Sequence, residues 1–226
     1  NKDGTLRLQN EHLAKLDNDI LYHLGLDTKN YDLPKLFGDV KFVCMGGTKY
    51  RMKEFAEHIA KNVLKKSVDL VNLTKHSHRY AIYAKAKDPI IFRIGTSGGL
   101  KIPPGSVVIS SWAMNGSLEK SYDIPIMGKM HGFDTTFDTR LNQELCHLAK
   151  EEKDFLTTIG QARLDGPFCH YNENDKLNFV RKLQSLGVKN IEMEATAFAA
   201  MTLEAGLRSA ALCVTFVDRF VDDQLI

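Results

Sequence analysis

The sequence has little of several features that mark specialised classes of protein. Its four cysteines, Cys44, Cys146, Cys169 and Cys213, include no C-x-x-C pair, so neither a disulfide framework nor a cysteine zinc site is indicated. No apolar run approaches the roughly 18 residues of a membrane helix. The chain opens on Asn1, without a signal peptide, which predicts a trimmed chain. These absences favour a reduced, cytoplasmic globular protein that does not bind a membrane.

An excess of charge of one sign is also lacking. Thirty lysine and arginine residues accompany 28 acidic residues, which leaves a net charge of +2 and a pI of about 8.3. Nucleic-acid-binding domains usually carry a basic stripe and a higher pI, so a nucleic-acid partner is not expected. Only nine of the basic residues are arginine. Since arginine binds phosphate or carboxylate with two parallel hydrogen bonds, each of the nine positions matters.

Short β-branched segments alternate with helical ones along the chain. This alternation predicts an α/β fold with a central, largely parallel sheet, in which ligands bind at the carboxyl ends of strands. Residues 1–35 are predicted to form an N-terminal arm with one helix, and residues 36–226 the rest of the domain. The predicted strands are 40–45, 80–83, 89–94, 107–109, 188–194 and 210–217, and the predicted helices are 12–23, 50–63, 141–150 and 195–205.

In two segments of the chain, a predicted strand is accompanied by glycines and an arginine. Gly46-Gly47 separates a strand from a helix start with Arg51 close behind, a pattern typical of an anion site, or of a plain turn with an exposed arginine. The segment 93–99, RIGTSGG, predicts a glycine turn that presents Arg93 and Thr96 to an anion. An arginine in so apolar a strand needs a partner, because an unpaired buried charge is costly.

The same glycine segment also matches G-x-S-x-G, the nucleophile elbow of serine hydrolases, with Ser97 as the nucleophile. That elbow runs from a strand through a sharp turn into a helix. Here Pro103 and Pro104 follow, with no helical periodicity. A serine hydrolase is therefore disfavoured.

Three further motifs allow both a functional and a structural interpretation. Glu192 and Glu194 share a face in extended backbone, where they could bind vicinal hydroxyls, or they could complement a helix N-terminus. Gln161 and Arg163 could bind the edge of a heterocycle, or could be surface residues. His76-x-His78 has no third ligand at metal spacing, so a metal site is not expected.

Taken together, these segments resemble the nucleoside phosphorylases, and most closely the eukaryotic uridine phosphorylases. The matching segments are 19–26, 37–47, 91–100, 161–166, 188–194 and 213–225. The resemblance implies a three-layer α/β/α sandwich around a mixed, largely parallel sheet, and a homodimer whose active sites are completed by the partner subunit. It implies reversible phosphorolysis of uridine to uracil and ribose 1-phosphate in pyrimidine salvage. No cofactor is implied, because inorganic phosphate is a co-substrate.

The resemblance also implies a role for each matching position. The phosphate-binding positions are Gly47, Arg51, Arg79, Arg93 and Thr96, with Arg79 coming from the partner subunit. The ribose-binding positions are His23, again from the partner, Thr96, Met193 and Glu194. The uracil-binding positions are Gln161, Arg163, Phe216, Val217 and Leu225. Catalysis is assigned to Arg163, Gln161, Arg93 and Glu194.

The implied chemistry needs no protein nucleophile. As the glycosidic bond stretches, the ribose becomes oxocarbenium-like and the uracil becomes an anion. Gln161 and Arg163 can stabilise that anion, which is differential binding of the transition state. Phosphate held by arginines attacks the anomeric carbon, so positioning and electrostatics do most of the catalysis.

The chain departs from the family pattern in length. Only about five residues connect the predicted strands at 80–83 and 89–94, whereas a parallel crossover needs about a dozen. Family members carry longer segments there and before Gln161, and they continue beyond Ile226. Segments are therefore predicted to be missing near residues 85–87, near 160–161 and after 226.

Two other functions remain open at this stage. A purine nucleoside phosphorylase or a nucleoside hydrolase of the same fold is one, because Asp218 stands near the position from which purine-cleaving relatives protonate the base. Gln161-x-Arg163 favours a pyrimidine instead. The other is a catalytically silent paralogue that binds nucleoside.

Overall fold

The computed structural model describes residues 15–21, 26–47, 49–64, 89–149, 156–160 and 170–221. The chain divides into two compact units, Asn1–Ile94 and Gly95–Ile226. The boundary predicted between residues 35 and 36 stays a prediction. So does the predicted strand at 80–83, which lies outside the described residues.

The first unit contains a parallel strand pair, and a helix follows the first of the two strands along the chain. Strand β3 pairs with the first half of β4, from Phe42 opposite Ile90 to Gly46 opposite Ile94. The pair agrees with the strands predicted there from their apolar runs. The elements are β1 (Ile20–Leu21), β2 (Leu26–Asp27), α1 (Leu33–Phe37), β3 (Phe42–Gly46), α2 (Lys49–Ile59), a π-helical turn (Ala60–Leu64) and the start of β4 (Ile90–Gly99).

The helix predicted over 12–23 is wrong for residues 15–21, which form a turn, a bend and β1. The reason lies in the short polar side chains of this segment. Asn18 Oδ1 accepts hydrogen bonds from Thr28 Oγ1 at 3.2 Å and from the Lys29 amide at 3.0 Å. The Asp19 amide donates to Thr28 Oγ1 at 2.8 Å. Such bonds compete with helical backbone bonds and favour a turn.

The second unit contains a mixed sheet with helices. Its strand order is β10-β5-β8-β9-β4, and a further pairing joins β4 to β10. The β5–β8 and β8–β9 pairs are parallel, whereas β10–β5 and β4–β9 are antiparallel. The elements are β5 (Val107–Met114), β6 (Ser121–Ile126), β7 (Lys129–Asp134), α3 (Thr139–Leu148), β8 (Leu156–Gly160), α4 (Glu173–Ser185), β9 (Val188–Glu192), α5 (Ala195–Glu204) and β10 (Arg208–Asp218). The α/β fold is confirmed.

Local sequence explains the two helices that flank β9. Helix α4 begins with a capping box, in which Asn172 Oδ1 accepts from the Asp175 amide and Asp175 Oδ2 accepts from the Asn172 amide, both at 3.0 Å. Helix α5 is rich in alanine and buries Ala195, Ala199 and Ala200, since small side chains allow close packing. Helix α4 therefore ends just before β9 begins, and α5 begins just after β9 ends, so the two helices flank both ends of the strand.

A hydrophobic core lies in the second unit. It joins the strands to α4, because Val180 and Leu183 of that helix pack with Val188 and Ile191 of β9. The remaining buried members of this cluster are Leu100 and Met114. Among the described residues, no helix is long and apolar enough to cross a membrane.

Candidate active site

The junction between β3 and α2 forms the first candidate anion site. Gly46 ends β3, and a Cβ added there would overlap Met52 Sδ and lie 3.1 Å from the Ile94 carbonyl oxygen. Glycine therefore lets α2 pack closely over the strand pair. A Cβ on Gly47 would lie 3.7 Å from Arg51 Nη2, so the guanidinium lies beside the turn, near the helix N-terminus. This arrangement favours an anion.

Arg93 adds a buried positive charge to the same edge of the parallel pair. It lies opposite Met45 of β3, and only 8% of its surface is exposed. Burying a guanidinium is costly without a hydrogen-bonded anionic or polar partner. Within the first unit, Gly47, Arg51 and Arg93 are therefore all placed near the carboxyl end of β3, where its parallel pairing with β4 ends and where α/β sheets bind ligands.

The second half of β4 corrects one prediction. The segment GTSGG does not turn, because β4 continues through Gly99 and the bends begin at Leu100. Its glycines instead allow close packing. A Cβ on Gly98 would overlap Arg219 Nε, and one on Gly99 would lie 2.8 Å from Ile102 Cγ1. Thr96 is therefore presented by a strand and not by a turn.

The same geometry removes the serine-hydrolase hypothesis. A nucleophile elbow needs a helix directly after the serine turn. Ser97 lies inside β4 and is 8% exposed, and bends and turns follow the strand before β5 begins. Ser97 therefore lacks the exposed, strained position of a hydrolase nucleophile.

The two acidic residues at and just after the end of β9, Glu192 and Glu194, have different roles. Glu192 is 4% exposed, and its Oε1 accepts hydrogen bonds from the Glu194 amide at 3.0 Å and from the Ala195 amide. It complements the N-terminus of α5, as the structural alternative expected. Glu194 is the N-cap residue at φ −121° and ψ −10° and makes no side-chain cap bond. The backbone has left the strand there, so the shared face predicted for Glu192 and Glu194 is wrong.

Met193 and Thr96 lie on segments that approach each other within the second unit. Gly98 pairs with Ile191 in the antiparallel β4–β9 register. Thr96 precedes Gly98 by two residues in β4, and Met193 follows Ile191 by two residues, in the bend after β9. Met193 is 52% exposed, so its side chain is accessible to a ligand.

The end of β10 carries the apolar candidates and one acid. Phe216 is 45% exposed and Val217 is half-buried. Asp218 Oδ1 accepts hydrogen bonds from the Lys101 amide at 3.2 Å and from the Phe220 amide at 3.0 Å. This carboxylate oxygen therefore ties two backbone segments together. That structural role weakens the hypothesis that Asp218 protonates a purine.

Arg219 is a charged residue that sequence analysis did not single out. Its amide donates to the Gly99 carbonyl at 2.9 Å, and its side chain crosses Gly98. The sequence signal for this contact was Gly98, because a glycine inside a strand often marks the close approach of another group. The remaining predicted site residues lie outside the described residues: His23, Arg79, Gln161, Arg163 and Leu225. His76 and His78 lie outside them too.

Comparison with known proteins identifies the class to which this chain belongs. The chain matches the family model described as "Phosphorylase superfamily" over residues 74–224. A protein of Caenorhabditis elegans named "Uridine and thymidine phosphorylase" is 38% identical over 265 aligned positions, which cover 99% of this chain and 89% of that protein. The chain belongs to the uridine phosphorylase family of this superfamily.

Two proteins of Schistosoma mansoni widen the comparison. The crystal structure of its uridine phosphorylase in complex with thymidine superposes with a TM-score of 0.84 at 31% identity, covering 97% of this chain and 89% of that chain. A protein named "Inactive uridine phosphorylase B" is 30% identical, covering 96% of this chain and 87% of that protein. Family membership alone therefore does not decide activity, and the residues of the site must.

The alignment lengths also bear on the predicted gaps. The 265 positions aligned with the nematode protein exceed the 226 residues of this chain, so that protein has internal positions with no counterpart here. The gaps near 85–87 and 160–161 stay predictions.

Proposed function

We propose that the protein catalyses the reversible phosphorolysis of uridine to uracil and ribose 1-phosphate. The observation that carries this proposal is the likeness to a uridine and thymidine phosphorylase over 99% of the chain. The described residues add a physical reason, since Arg93 is buried opposite Met45 near the end of β3, and Arg51 lies beside Gly47 at the helix start that follows β3. These are the groups that an oxyanion co-substrate requires.

The phosphate is proposed to bind to Gly47, Arg51, Arg93 and Thr96. Arg79 is proposed to reach the same phosphate from the partner subunit of a homodimer. Three guanidinium groups would neutralise the phosphate and align one of its oxygens with the anomeric carbon. Because the phosphate is the nucleophile, no cofactor is needed in this proposal.

The ribose and the base are proposed to bind on either side of the reacting bond. Met193, Glu194 and Thr96 would hold the ribose, with His23 of the partner near its 5′ end. Phe216, Val217 and Leu225 would form an apolar wall for the base. Gln161 and Arg163 would bind the polar edge of uracil.

The reaction then follows from charge. The C1′–N1 bond breaks and its electron pair moves onto uracil, while an oxygen of phosphate forms a new bond to C1′. Arg163 and Gln161 stabilise the anionic base, and Glu194 and the phosphate stabilise the cationic ribose. In the reverse direction uracil displaces phosphate, so the same groups serve both directions.

A substrate panel tests the proposal. Uridine, thymidine and inosine are incubated with and without phosphate, and the loss of nucleoside absorbance is followed. Uridine consumption only in the presence of phosphate is expected. Consumption without phosphate would indicate a hydrolase, and preferential consumption of inosine would indicate a purine enzyme. If uridine raises the melting temperature but is not consumed, the protein is a silent paralogue.

Thymidine is a second candidate substrate. The nematode relative is named for both nucleosides. Thymidine lacks the ribose 2′-hydroxyl and carries a methyl group on the base. Comparing uridine, deoxyuridine and thymidine separates the effect of the sugar from that of the methyl group.

The homodimer is proposed because Arg79 and His23 are assigned to the neighbouring active site. This assignment can be tested by mixing two variants of the protein. Arg79→Met and Arg93→Met variants are each expected to lose most of their activity at limiting phosphate. If the two residues belong to different subunits of one site, each mixed heterodimer regains one intact site of its two, whereas no recovery would place both residues in one chain. Cytoplasmic pyrimidine salvage is the proposed setting of the reaction.

A further inference from the structure

Glu192 is a buried carboxylate between the sheet and the candidate ribose-binding residues. It is the last residue of β9 and is 4% exposed. Its Oε1 accepts hydrogen bonds from the Glu194 amide at 3.0 Å and from the Ala195 amide. A carboxylate is expensive to bury unless such bonds stabilise it, so its burial indicates a specific task.

The two amides belong to the start of α5. The first N–H groups of a helix have no partner within the helix. Glu194, the N-cap residue, makes no side-chain cap bond, and the first turn of α5 contains no acidic residue. Glu192 therefore replaces the usual cap from two residues before it, in the strand.

This unusual cap spans the residues assigned to the ribose. Met193 and Glu194 lie between the carboxylate and the amides that it binds, so their backbone is held from both sides. We propose that Glu192 is a positioning residue, which does not touch the substrate but sets the backbone from which Met193 and Glu194 meet the ribose. This inference rests on the proposed function.

A matched control is available in the same unit. The capping box of α4 also uses one side-chain oxygen to accept from a helix-start amide, from Asp175 to Asn172 at 3.0 Å. Neither residue belongs to the candidate site. Glu192→Ala and Asn172→Ala should therefore both lower the melting temperature, since each removes a helix cap, and Glu192→Ala should lower it more because the amides it binds are more buried.

Kinetics distinguish positioning from simple stabilisation. Glu192→Ala is expected to raise KM for uridine roughly ten- to hundredfold, because misplacing a binding group by about 1 Å is that costly. KM for phosphate should not change, and Asn172→Ala should change neither KM. Glu192→Gln keeps an acceptor oxygen and should restore most of the affinity for uridine. If Glu192→Ala fails to fold, Glu192→Asp serves instead, since its shorter side chain withdraws the oxygen from the amides.

Amide hydrogen exchange gives a readout that needs no turnover. In the free protein, exchange at Glu194 and Ala195 should accelerate in Glu192→Ala and not in Asn172→Ala. If the wild-type protein does not consume uridine, the proposed function fails while this measurement still reports on the cap. An unchanged KM for uridine, or a fall in kcat shared with Asn172→Ala, would overturn the positioning role.

Discussion

Replacing the buried Arg93 by methionine should separate function from stability. Methionine has a similar length and no charge. Only 8% of Arg93 is exposed, so its guanidinium meets a ligand with little competition from water. A hydrogen bond to a charged group contributes about 1.5–3 kcal/mol. Losing one should lower kcat/KM for phosphate roughly ten- to hundredfold, since 1.4 kcal/mol corresponds to a factor of ten.

The effect on stability is measured separately. Arg93 has an interaction partner within the protein, and removing one partner of a buried pair typically costs about 3–5 kcal/mol. Phosphate should raise the melting temperature of the wild-type protein, as about 2.7 kcal/mol of stabilisation is expected at a concentration of 100 Kd. In Arg93→Met this shift should nearly vanish, whatever the melting temperature of the variant without phosphate.

Kinetics at limiting phosphate and thermal melting with and without phosphate provide the test. Arg140→Met is the matched control, because the Arg140 side chain is 88% exposed and its ion pair with Glu144 contributes little. The reasoning is refuted if Arg93→Met uses phosphate as well as the wild type does. A large fall in melting temperature with unchanged use of phosphate would show that Arg93 is structural.

Three further predictions concern packing, the acid on β10 and a surface turn. Gly46→Ala should cost about 1–3 kcal/mol of unfolding free energy in a chemical denaturation, because its Cβ would overlap Met52 Sδ, and adding Met52→Ala should recover part of it. Asp218→Asn, which keeps an acceptor oxygen, should retain uridine turnover, whereas a hundredfold loss would revive a proton-donor role. Hydrogen bonds from Asn30 lower the pKa of Asp27 below its ordinary value, so their contribution is present at neutral pH and is lost only as the pH falls through that lowered pKa. Asn30→Ala should raise the pKa towards the ordinary value in a carbon-13 NMR titration, and an unchanged pKa would contradict this cause.

The fold class could be predicted because apolar periodicity reports burial directly. The runs that became β3, β10 and the first half of β4 are apolar enough to identify without a structure. Strand β8 was missed because its sequence, Leu-Thr-Thr-Ile-Gly, is short and half polar. Helix α4 was missed because its start signal is a capping box of Asn172 and Asp175, which the apolar periodicity does not show.

The site was predictable in its residue types and less so in its geometry. Arg93 was singled out because a charge in an apolar strand needs an explanation. The structure agrees with that reasoning, since Arg93 is buried. The glycines after it were mistaken for a turn, since a strand glycine can also accommodate a crossing side chain, here that of Arg219. Glu192 and Glu194 differ in role because the chain changes from strand to helix between them, which spacing alone does not reveal.

The two hydrogen bonds at Asp218 limit how the specificity of this chain could evolve. The Lys101 and Phe220 amides both donate to Oδ1, so a proton could be carried only on Oδ2 and only in the orientation that these bonds fix. Turning the side chain towards a substrate would break both bonds, and each contributes about 0.5–1.5 kcal/mol to a domain stability of about 5–15 kcal/mol. A lineage that turns this carboxyl group towards a purine would therefore need new acceptors for both amides.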